Sequence, residues 1–524
     1  MNTQPSRRFR LIAAAAFTAA IATLTACSSA TTPANTDSGT GAKGDPKPGG
    51  NLRVGIVGGS AKDSLDAHSP VTHPDEARVI SLYDTLATYD VEHKVEMSLA
   101  DTITPSTDGK TWTVKLRDGL KFSDGSPITA DDVIFTFQRI TDPKDPKAGA
   151  TALEDLERDK LNATDANTIV FPFKEPFATF EDAVAQYGVG IVPEGYDPAK
   201  PVSSGPFMLE SFTPGQQSTF VRNPHYWREG QPYVDSLVII DFPDDTARVN
   251  ALLGGQVDAI DQLPLGQIKV VEANPELKVL ESETGSWIPF TMRVDQAPFD
   301  DVRVRQALRL IVDRQQMVDQ VLGGHGTIGN DMYAPFDSCY PSDIEQRTQD
   351  IEGAKKLLTD AGKSNLTVEL TTAPVAAGLV EAAQVFAEQA KEAGVTVKVN
   401  KVDSGVFYGD DYLKWPFAQD FWFTRDYLPQ TANSGFTTSP YNETHWNNKA
   451  WNDLVQQANA TVDETKRCDL IKQAQQIEYD EGGYIIWGFP NNLDAHRAAV
   501  QGLVPDKSGI PLSYYGFRKV WLNE

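Results

Sequence analysis

The sequence predicts a mixed α/β protein with more than one domain. Its 524 residues are enough for two or three sizeable hydrophobic cores. Strand, helix and strand patterns follow one another over residues 366–371, 381–392 and 395–399. Because that order places two strands side by side in the same direction, it is typical of an α/β unit with parallel pairing. The 33 prolines and 39 glycines suit a fold with many turns.

The N-terminus is predicted to be a targeting signal rather than part of the fold. Arg7, Arg8 and Arg10 form a positive start, and residues 11–26 form an apolar run that is too short to span a bilayer comfortably. The run ends in Leu-Thr-Ala-Cys, which resembles a lipobox, so we expect cleavage before Cys27 and a lipid on its thiol. The alternative is an ordinary secreted protein with a chance cysteine.

A disordered tether is predicted between the signal and the first strand. Residues 28–50 contain no aromatic or large aliphatic side chain, so they cannot bury surface. Removing residues 1–26 takes away three arginines and no acids, which changes the net charge from −25 to −28. A surface this acidic favours neither nucleic acid nor anionic headgroups. We therefore expect the membrane to be reached only through the lipid on Cys27.

Regular elements are predicted along the rest of the chain. A strand is expected over residues 51–57 and a helix over residues 77–86. Two alternating runs within residues 162–173 are typical of a hairpin. Further helices are expected over residues 244–253 and 466–478, where apolar positions recur at helical spacing.

The stretch 106–140 carries the strongest pattern. Residues 111–117 alternate strictly as a half-buried strand, and residues 120–122 are expected to form a short return strand after an Asp-Gly turn. Thr129 and Asp132 then form an acidic variant of the capping box and begin a helix. The order of these residues closely resembles the signature of the family 5 solute-binding proteins of ABC importers.

Further motifs of that family occur in the expected order along the chain. They are Ser-Ser-Gly-Pro-Phe at 203–207, Arg-Asn-Pro-His-Tyr-Trp at 222–227, Gly-Gln-Val-Asp at 255–258 and Pro-Phe-Asp-Asp-Val-Arg-Val-Arg-Gln-Ala-Leu at 298–308. The resemblance covers roughly residues 50–520, which is nearly the whole mature chain.

The resemblance implies an α/β fold with two lobes of the periplasmic-binding-protein type (type II) and an extra domain on lobe one. Transferred to this sequence, it predicts a signal peptide at 1–26, a tether at 27–50, lobe one at 51–88, 196–283 and 491–524, the extra domain at 89–195, and lobe two at 284–490.

A ligand site is predicted in the aromatic-rich stretch 415–446, because rings combined with turn residues and a few charges suit a concave pocket. Residues 423–427 match an aromatic-x-x-Asp-Tyr motif, in which the aspartate of peptide-binding members holds the ligand's α-ammonium group. The resemblance thus assigns that role to Asp426; pairing with Arg425 or the capping of a turn are the alternatives. The predicted ligand-binding residues are Asp426, Phe423, Tyr427, Trp422, Arg425, Trp287 and Phe489.

The remaining cysteines and the histidines give no metal or cofactor site. Cys339 and Cys468 either form a disulfide, which is permitted outside the cytoplasm, or remain buried free thiols. Their spacing matches no zinc motif. The seven histidines show neither H-x-x-x-H nor H-E-x-x-H spacing.

The resemblance implies a lipoprotein that captures peptides between its lobes and delivers them to an ABC permease, and it implies no enzymatic activity. The alternative is a receptor of the same fold for a sugar, an opine or a chelated metal such as nickel. We expect a monomer on the extracytoplasmic face of the cell membrane, whose partners are the solute and the permease subunits. The sequence does not identify the ligand's length or the group that binds its carboxylate, for which Arg293 and Arg425 are candidates.

Overall fold

The computed structural model describes residues 44–523. The predicted signal peptide, Cys27 and residues 28–43 of the predicted tether lie outside the described residues. Within the described range, none of the helices combines the length and the apolarity needed to cross a bilayer.

The first region is built on a seven-stranded mixed sheet. Its central strand, Asn51–Val57, runs parallel to both of its neighbours, and the other pairs are antiparallel. Two hydrophobic clusters pack on this sheet. In spatial order the strands are Leu277–Ser282, Asn492–Arg497, Ala259–Ile260, Asn51–Val57, Ser236–Phe242, Gln217–Arg222 and Phe207–Thr213. We call this part the seven-stranded region.

The second region is a four-stranded antiparallel sheet with the helix Ala130–Ile140 packed on it. The predicted capping box of Thr129 and Asp132 is present in both directions, which confirms where this helix begins. The expected return strand at 120–122 is reduced to a single bridge between Lys121 and Pro127, because too few residues face each other there. The strands are Ala100–Pro105, Thr111–Leu116, Thr168–Pro172 and Asn162–Asp165. We call this part the four-stranded region.

The third region contains a three-stranded antiparallel sheet with Phe290–Met292 between Phe417–Gln419 and Tyr484–Ile485. Beside it, Thr367–Thr372 and Thr396–Lys401 pair in parallel. That pairing confirms what the strand–helix–strand pattern predicts. One large hydrophobic cluster unites these strands with the helices around them. We call this part the three-stranded region.

Short strand pairs and helices complete the fold. The pairs are Gly326–Ile328 with Gly488–Pro490, Ala87–Tyr89 with Val95–Met97, and Val500–Gln501 with Trp521–Leu522. The α-helices are His73–Leu82, Ala130–Ile140, Phe180–Ala183, Asp245–Leu253, Ile268–Glu272, Val302–Ile311, Arg314–Val321, Ile351–Asp360, Leu379–Glu392, Ser404–Phe407, Tyr427–Ser434, Lys449–Asn459, Glu464–Glu481 and Pro511–Tyr515. The 3₁₀ turns are Ala148–Leu153, Arg158–Lys160, Tyr187–Val189, Leu265–Gln267 and Phe517–Lys519.

The first helix begins earlier than the sequence pattern predicts. It spans His73–Leu82 rather than residues 77–86. Thr72 caps it by accepting a hydrogen bond from the backbone N–H of Asp75, and Pro74 occupies the first turn, where a missing N–H does no harm. The prediction was wrong at this end because it followed the apolar spacing and not the capping residue.

Cys339 and Cys468 form a disulfide, which decides between the two alternatives that the sequence leaves open. The bond joins residues that are 129 positions apart, so it ties the segment before the candidate site to the helix Glu464–Glu481.

Candidate functional site

Residues 422–427 lie in the three-stranded region, where it meets the other two regions. Trp422 and Trp287 exchange backbone hydrogen bonds of 2.9 Å in both directions. The hydroxyl of buried Thr424 accepts a hydrogen bond of 2.9 Å from the backbone N–H of Gly285. Trp422 and Thr424 are thus held by hydrogen bonds to residues 285–287, and the residues that follow start a helix.

Asp426 occupies the N-cap position of the helix Tyr427–Ser434, yet its side chain makes no capping hydrogen bond. Asp337 instead accepts the backbone N–H of Tyr427 at 2.8 Å, and it also accepts the N–H of Cys339 at 2.7 Å. Asp337 thus accepts a backbone N–H at the start of the helix in place of the N-cap residue. The half-buried carboxyl of Asp426 is therefore not needed to cap its own helix.

The carboxyl of Asp426 faces the carboxyl of Asp182, which lies on the helix Phe180–Ala183 of the four-stranded region. Burial, Asp182 and Asp337 raise the pKa of Asp426 well above its ordinary value. Burial and the charge of Asp337 raise the pKa of Asp182 to about 6. A helix N-terminus alone would lower the pKa of Asp426, so burial and like charge outweigh it here. Both carboxyls therefore favour the protonated form more than an exposed aspartate does, and a cation between them would favour the ionised form.

Polar groups of the four-stranded region surround Asp182. The hydroxyl of Tyr89 donates to the Asp182 carboxyl at 3.4 Å, and the amide of Gln186 donates to the Tyr89 oxygen at 2.9 Å. Asp426 is close enough to Tyr89 to help raise the pKa of its phenol, after the larger effect of burial. The site therefore draws on two regions that are far apart in sequence.

A strained turn places Tyr514 beside Tyr89. Residues 512–515 all have φ between 48° and 62°, the left-handed region that residues other than glycine rarely adopt. Each such residue costs about 1–2 kcal/mol. The backbone N–H of Leu512 donates to Asp494 at 2.6 Å and helps to hold the turn. Tyr514 is close enough to Tyr89 to help raise the pKa of its phenol, so the strained segment borders the candidate site, as such segments often do.

A stack of four rings supports the site from inside the three-stranded region. Trp422 stacks on Trp287 at 5.9 Å, Trp287 on Tyr333 at 5.4 Å, and Tyr333 on Tyr427 at 5.2 Å between centroids. Both tyrosine hydroxyls donate to Glu478, at 3.0 and 2.8 Å. Burial raises the pKa of Glu478 to about 7. The stack fixes both ends of the 422–427 segment.

The structure separates the predicted ligand-binding residues into two groups. Phe423 is 42% exposed, and Arg425 and Asp426 are half-buried at the boundary between regions. Trp422 is 8% exposed and contributes one edge. The other predicted residues are packed in the interior beside the site; they are Tyr427, Trp287 and Phe489.

The two arginines considered for the ligand's carboxylate differ clearly. Arg293 is engaged, because its guanidinium donates two hydrogen bonds to Asp295. Arg425 forms no ion pair or hydrogen bond with any side chain of residues 44–523; its guanidinium lies 5.7 Å from the ring centroid of Trp422. Burial lowers the pKa of Arg425, and Tyr187, Tyr89 and Tyr441 offset part of that effect.

Sequence reasoning missed Asp182, Tyr89, Gln186 and Tyr514. None lies in a motif, and their places in the chain are separated from Asp426 by long stretches. A weak signal was present for Tyr514, which follows the turn residues Ser508-Gly509 and Pro511. Within residues 44–523, no group of three or more His, Cys, Asp or Glu side chains is arranged to hold a metal ion.

Comparison with known proteins gives a consistent result. The sequence profile of the bacterial extracellular solute-binding proteins, family 5 Middle, matches residues 94–444. The glutathione-binding protein GsiB of Escherichia coli strain K12 is 26% identical over 478 residues, which are 86% of this chain and 92% of that protein.

Solved structures share the fold. The ABC transporter-associated periplasmic binding protein DppA from Helicobacter pylori, in complex with the peptide STSA, has a TM-score of 0.75 and 21% identity, covering 91% of this chain and 99% of its own. NikZ from Campylobacter jejuni, in complex with Ni(L-His), has a TM-score of 0.76 and 18% identity, covering 90% and 99%. The predicted periplasmic-binding-protein fold is confirmed.

The burial of Asp182 and the charge of Asp337 predict a specific pH dependence of stability. Asp182 binds its proton more tightly in the native state, where its pKa is about 6, than in the unfolded chain, where it is near 3.8. Its contribution is therefore complete at low pH and is lost as the pH rises through about 6. Replacing Asp182 with Asn removes this loss. We expect Asp182→Asn to raise the melting temperature of the ligand-free protein at pH 7 and to have little effect at pH 4.

Thermal unfolding of both proteins across this pH range measures the effect. Asp469→Asn is the matched control, since Asp469 is exposed and its carboxyl makes no hydrogen bond or ion pair within residues 44–523. A difference between wild type and Asp182→Asn that is constant with pH would contradict the raised pKa of Asp182.

Proposed function

The chain belongs to family 5 of the bacterial extracellular solute-binding proteins, and from that premise we propose that its ligand is a short peptide whose ammonium group binds between Asp426 and Asp182. Members of this family capture a small solute outside the cytoplasm and work with the permease of an ABC importer. The chain is thus a receptor and not an enzyme. The peptide is the finer step, and it is argued from the site.

The observation that carries the proposal is the facing pair of carboxyls. Asp426 accepts no hydrogen bond from an N–H group of residues 44–523, and its contact across the boundary is another acid. An ammonium group carries three donors and one positive charge, so it can bond to both carboxyls and favour their ionised form. A peptide N-terminus supplies such a group. Sugars have no cation to offer at this point.

The pair also links binding to closure. Asp182 belongs to the four-stranded region and Asp426 to the three-stranded region. Both carboxyls can ionise without mutual repulsion when a cation lies between them, and that cation then holds them together. We propose that lobe one with its extra domain and lobe two, divided as the sequence predicts, close on the peptide for this reason. A ligand can shift this balance only by preferring the closed state.

A ligand panel tests the proposal directly. We expect trialanine and glutathione, as peptides with a free ammonium group, to raise the melting temperature of the protein, since a ligand that binds only the folded state stabilises it. N-acetyl-trialanine, which lacks the ammonium charge, is the matched control and should have little effect. If a sugar or a nickel–histidine complex raised the melting temperature and the peptides did not, the proposed peptide ligand would be wrong.

The role of Asp426 predicts a large loss of affinity on truncation. Asp426→Ala should weaken trialanine binding at least about 30-fold, because it leaves a desolvated ammonium with one carboxylate fewer. Isothermal titration calorimetry measures the dissociation constant, and Asp469→Asn again serves as the control with unchanged affinity. An unchanged dissociation constant for Asp426→Ala would remove Asp426 from the site.

We further propose that Cys27 carries the lipid that holds the receptor at the membrane. The support is the Leu-Thr-Ala-Cys sequence at the end of the apolar run and the acidic charge of the remaining chain, which favours no electrostatic attachment. Replacing Cys27 with Ala should move the protein from the membrane fraction to the soluble extracytoplasmic fraction. Immunoblots of the two fractions measure this, and retention of Cys27→Ala in the membrane would contradict the lipid anchor.

A further inference from the structure

Glu443 is a buried acid whose two carboxyl oxygens have no hydrogen-bond partner within residues 44–523. Its side chain belongs to a residue that is only 5% exposed. The indole N–H of Trp422 and the hydroxyl of Tyr484 are also buried, and neither has a partner in this part of the chain. Buried polar groups are nearly always hydrogen-bonded, so three such groups call for an explanation.

Close contacts bring the carboxyl of Glu443 beside the other two groups. Tyr441 packs edge-on against Trp422, with 6.0 Å between ring centroids, and its carbonyl accepts the backbone N–H of Glu443 at 2.9 Å. Thr444, the next residue, packs against Gly483, because a Cβ on Gly483 would lie only 2.6 Å from the Cβ of Thr444. The residue after Gly483 is the tyrosine with the unpartnered hydroxyl.

Asp420 adds a second buried acid, whose own hydrogen bonds are complete. Its two carboxyl oxygens accept the hydroxyls of Tyr408 and Tyr412, at 2.8 and 2.9 Å. Burial and the charge of Asp420 raise the pKa of Glu443 well above its ordinary value. The nearby phenols are thus used by one acid, and the other keeps its capacity to accept hydrogen bonds. We call Asp420, Trp422, Glu443 and Tyr484 the Glu443 cluster.

Two exposed rings border the Glu443 cluster. Tyr408, which donates to Asp420, is 40% exposed, and Tyr441, which packs on Trp422, is 45% exposed. The cluster also adjoins the candidate site, since Asp420 and Asp426 are six positions apart on one segment, which spans at most about 20 Å. A short peptide whose ammonium group lies at Asp426 can therefore direct a long side chain to the cluster.

We propose that the Glu443 cluster is a subsite for a cationic side chain of the bound peptide, a lysine or an arginine. This deepens the proposed function and rests on it. The carboxyl of Glu443 accepts hydrogen bonds from the ammonium or guanidinium, and its partner acid supplies further negative charge. The rings of Tyr408 and Tyr441 pack along the apolar stem and attract the positive charge. An apolar side chain leaves Glu443 without a donor.

Three pairs of tripeptides test the subsite. Each pair replaces the same alanine of trialanine, at the first, second or third position, by lysine or by norleucine, which has the same four-carbon stem and no charge. In at least one position we expect lysine to bind at least about 10-fold more tightly than norleucine, as a buried charge pair provides. Calorimetric titration measures the dissociation constants, and about 0.15 M salt screens the general attraction of the acidic surface for a cation.

Variants assign the lysine preference to the cluster. Glu443→Gln removes the charge and nearly keeps the shape, so it should reduce the preference to within about 3-fold. Asp420→Asn should reduce it in the same direction, and it serves as the second variant if the first does not fold. Glu381→Gln is the matched control with the preference of wild type, because Glu381 is exposed and its carboxyl makes no hydrogen bond or ion pair within residues 44–523. Circular dichroism checks that each variant is folded.

The outcomes distinguish the subsite from the function on which it rests. If trialanine binds and lysine has no advantage over norleucine at any position, the subsite is overturned while the peptide receptor stands. A lysine preference that survives in the folded Glu443→Gln and Asp420→Asn proteins also overturns it. If no peptide binds and a sugar or a nickel–histidine complex does, the proposed function and the subsite fail together.

Discussion

Two acids that face each other across a boundary between parts of a protein make that boundary depend on what lies between them. Asp182 and Asp426 are in this position: burial and Asp337 raise the pKa of Asp182, and burial, Asp182 and Asp337 raise the pKa of Asp426. Ionising both carboxyls at neutral pH is unfavourable unless a cation lies between them. The same contact therefore joins three properties of the molecule, namely ligand charge, closure and sensitivity to pH.

Much of the surrounding structure serves to keep the Asp426 carboxyl available. Asp337 takes over the capping of the helix Tyr427–Ser434. The disulfide of Cys339 fixes the segment that carries Asp337, and the ring stack ending in Tyr427 fixes the next residue. A carboxyl that capped its own helix would have its hydrogen bonds satisfied locally and would have less to offer a ligand. The rigid surroundings of Asp426 thus hold its backbone in place while leaving its carboxyl without a local hydrogen-bond donor.

The sequence predicts local features well and distant contacts poorly. The capping box of Thr129 and Asp132 and the parallel pair after residue 366 follow from spacing alone, because both depend on neighbours along the chain. The family motifs supply the fold, since its strand order is not encoded in any one stretch. Asp182 could not be found in this way, as nothing in residues 180–183 indicates which part of the chain it will face.

The same limit applies to the aromatic residues near the site. The dense rings between 415 and 446 predict a pocket or a packed layer equally well, and the structure contains both: Phe423 is exposed and Tyr427 is buried. The backbone bridge between Trp422 and Trp287 sets the orientation of the segment, and with it which rings face outward. Likewise, Arg293 and Arg425 look alike in sequence, and the presence of Asp295 beside one of them separates their roles.

The order of strands in the seven-stranded sheet has a consequence for biogenesis. The strand Asn492–Arg497 lies between Leu277–Ser282 and Ala259–Ile260, although it is made almost last. Until it arrives, both flanking strands keep an open edge, and the sheet cannot complete its hydrogen bonding. The sheet therefore closes only when this late segment is in place, and the folding of the early strands depends on a part of the chain more than 200 residues away.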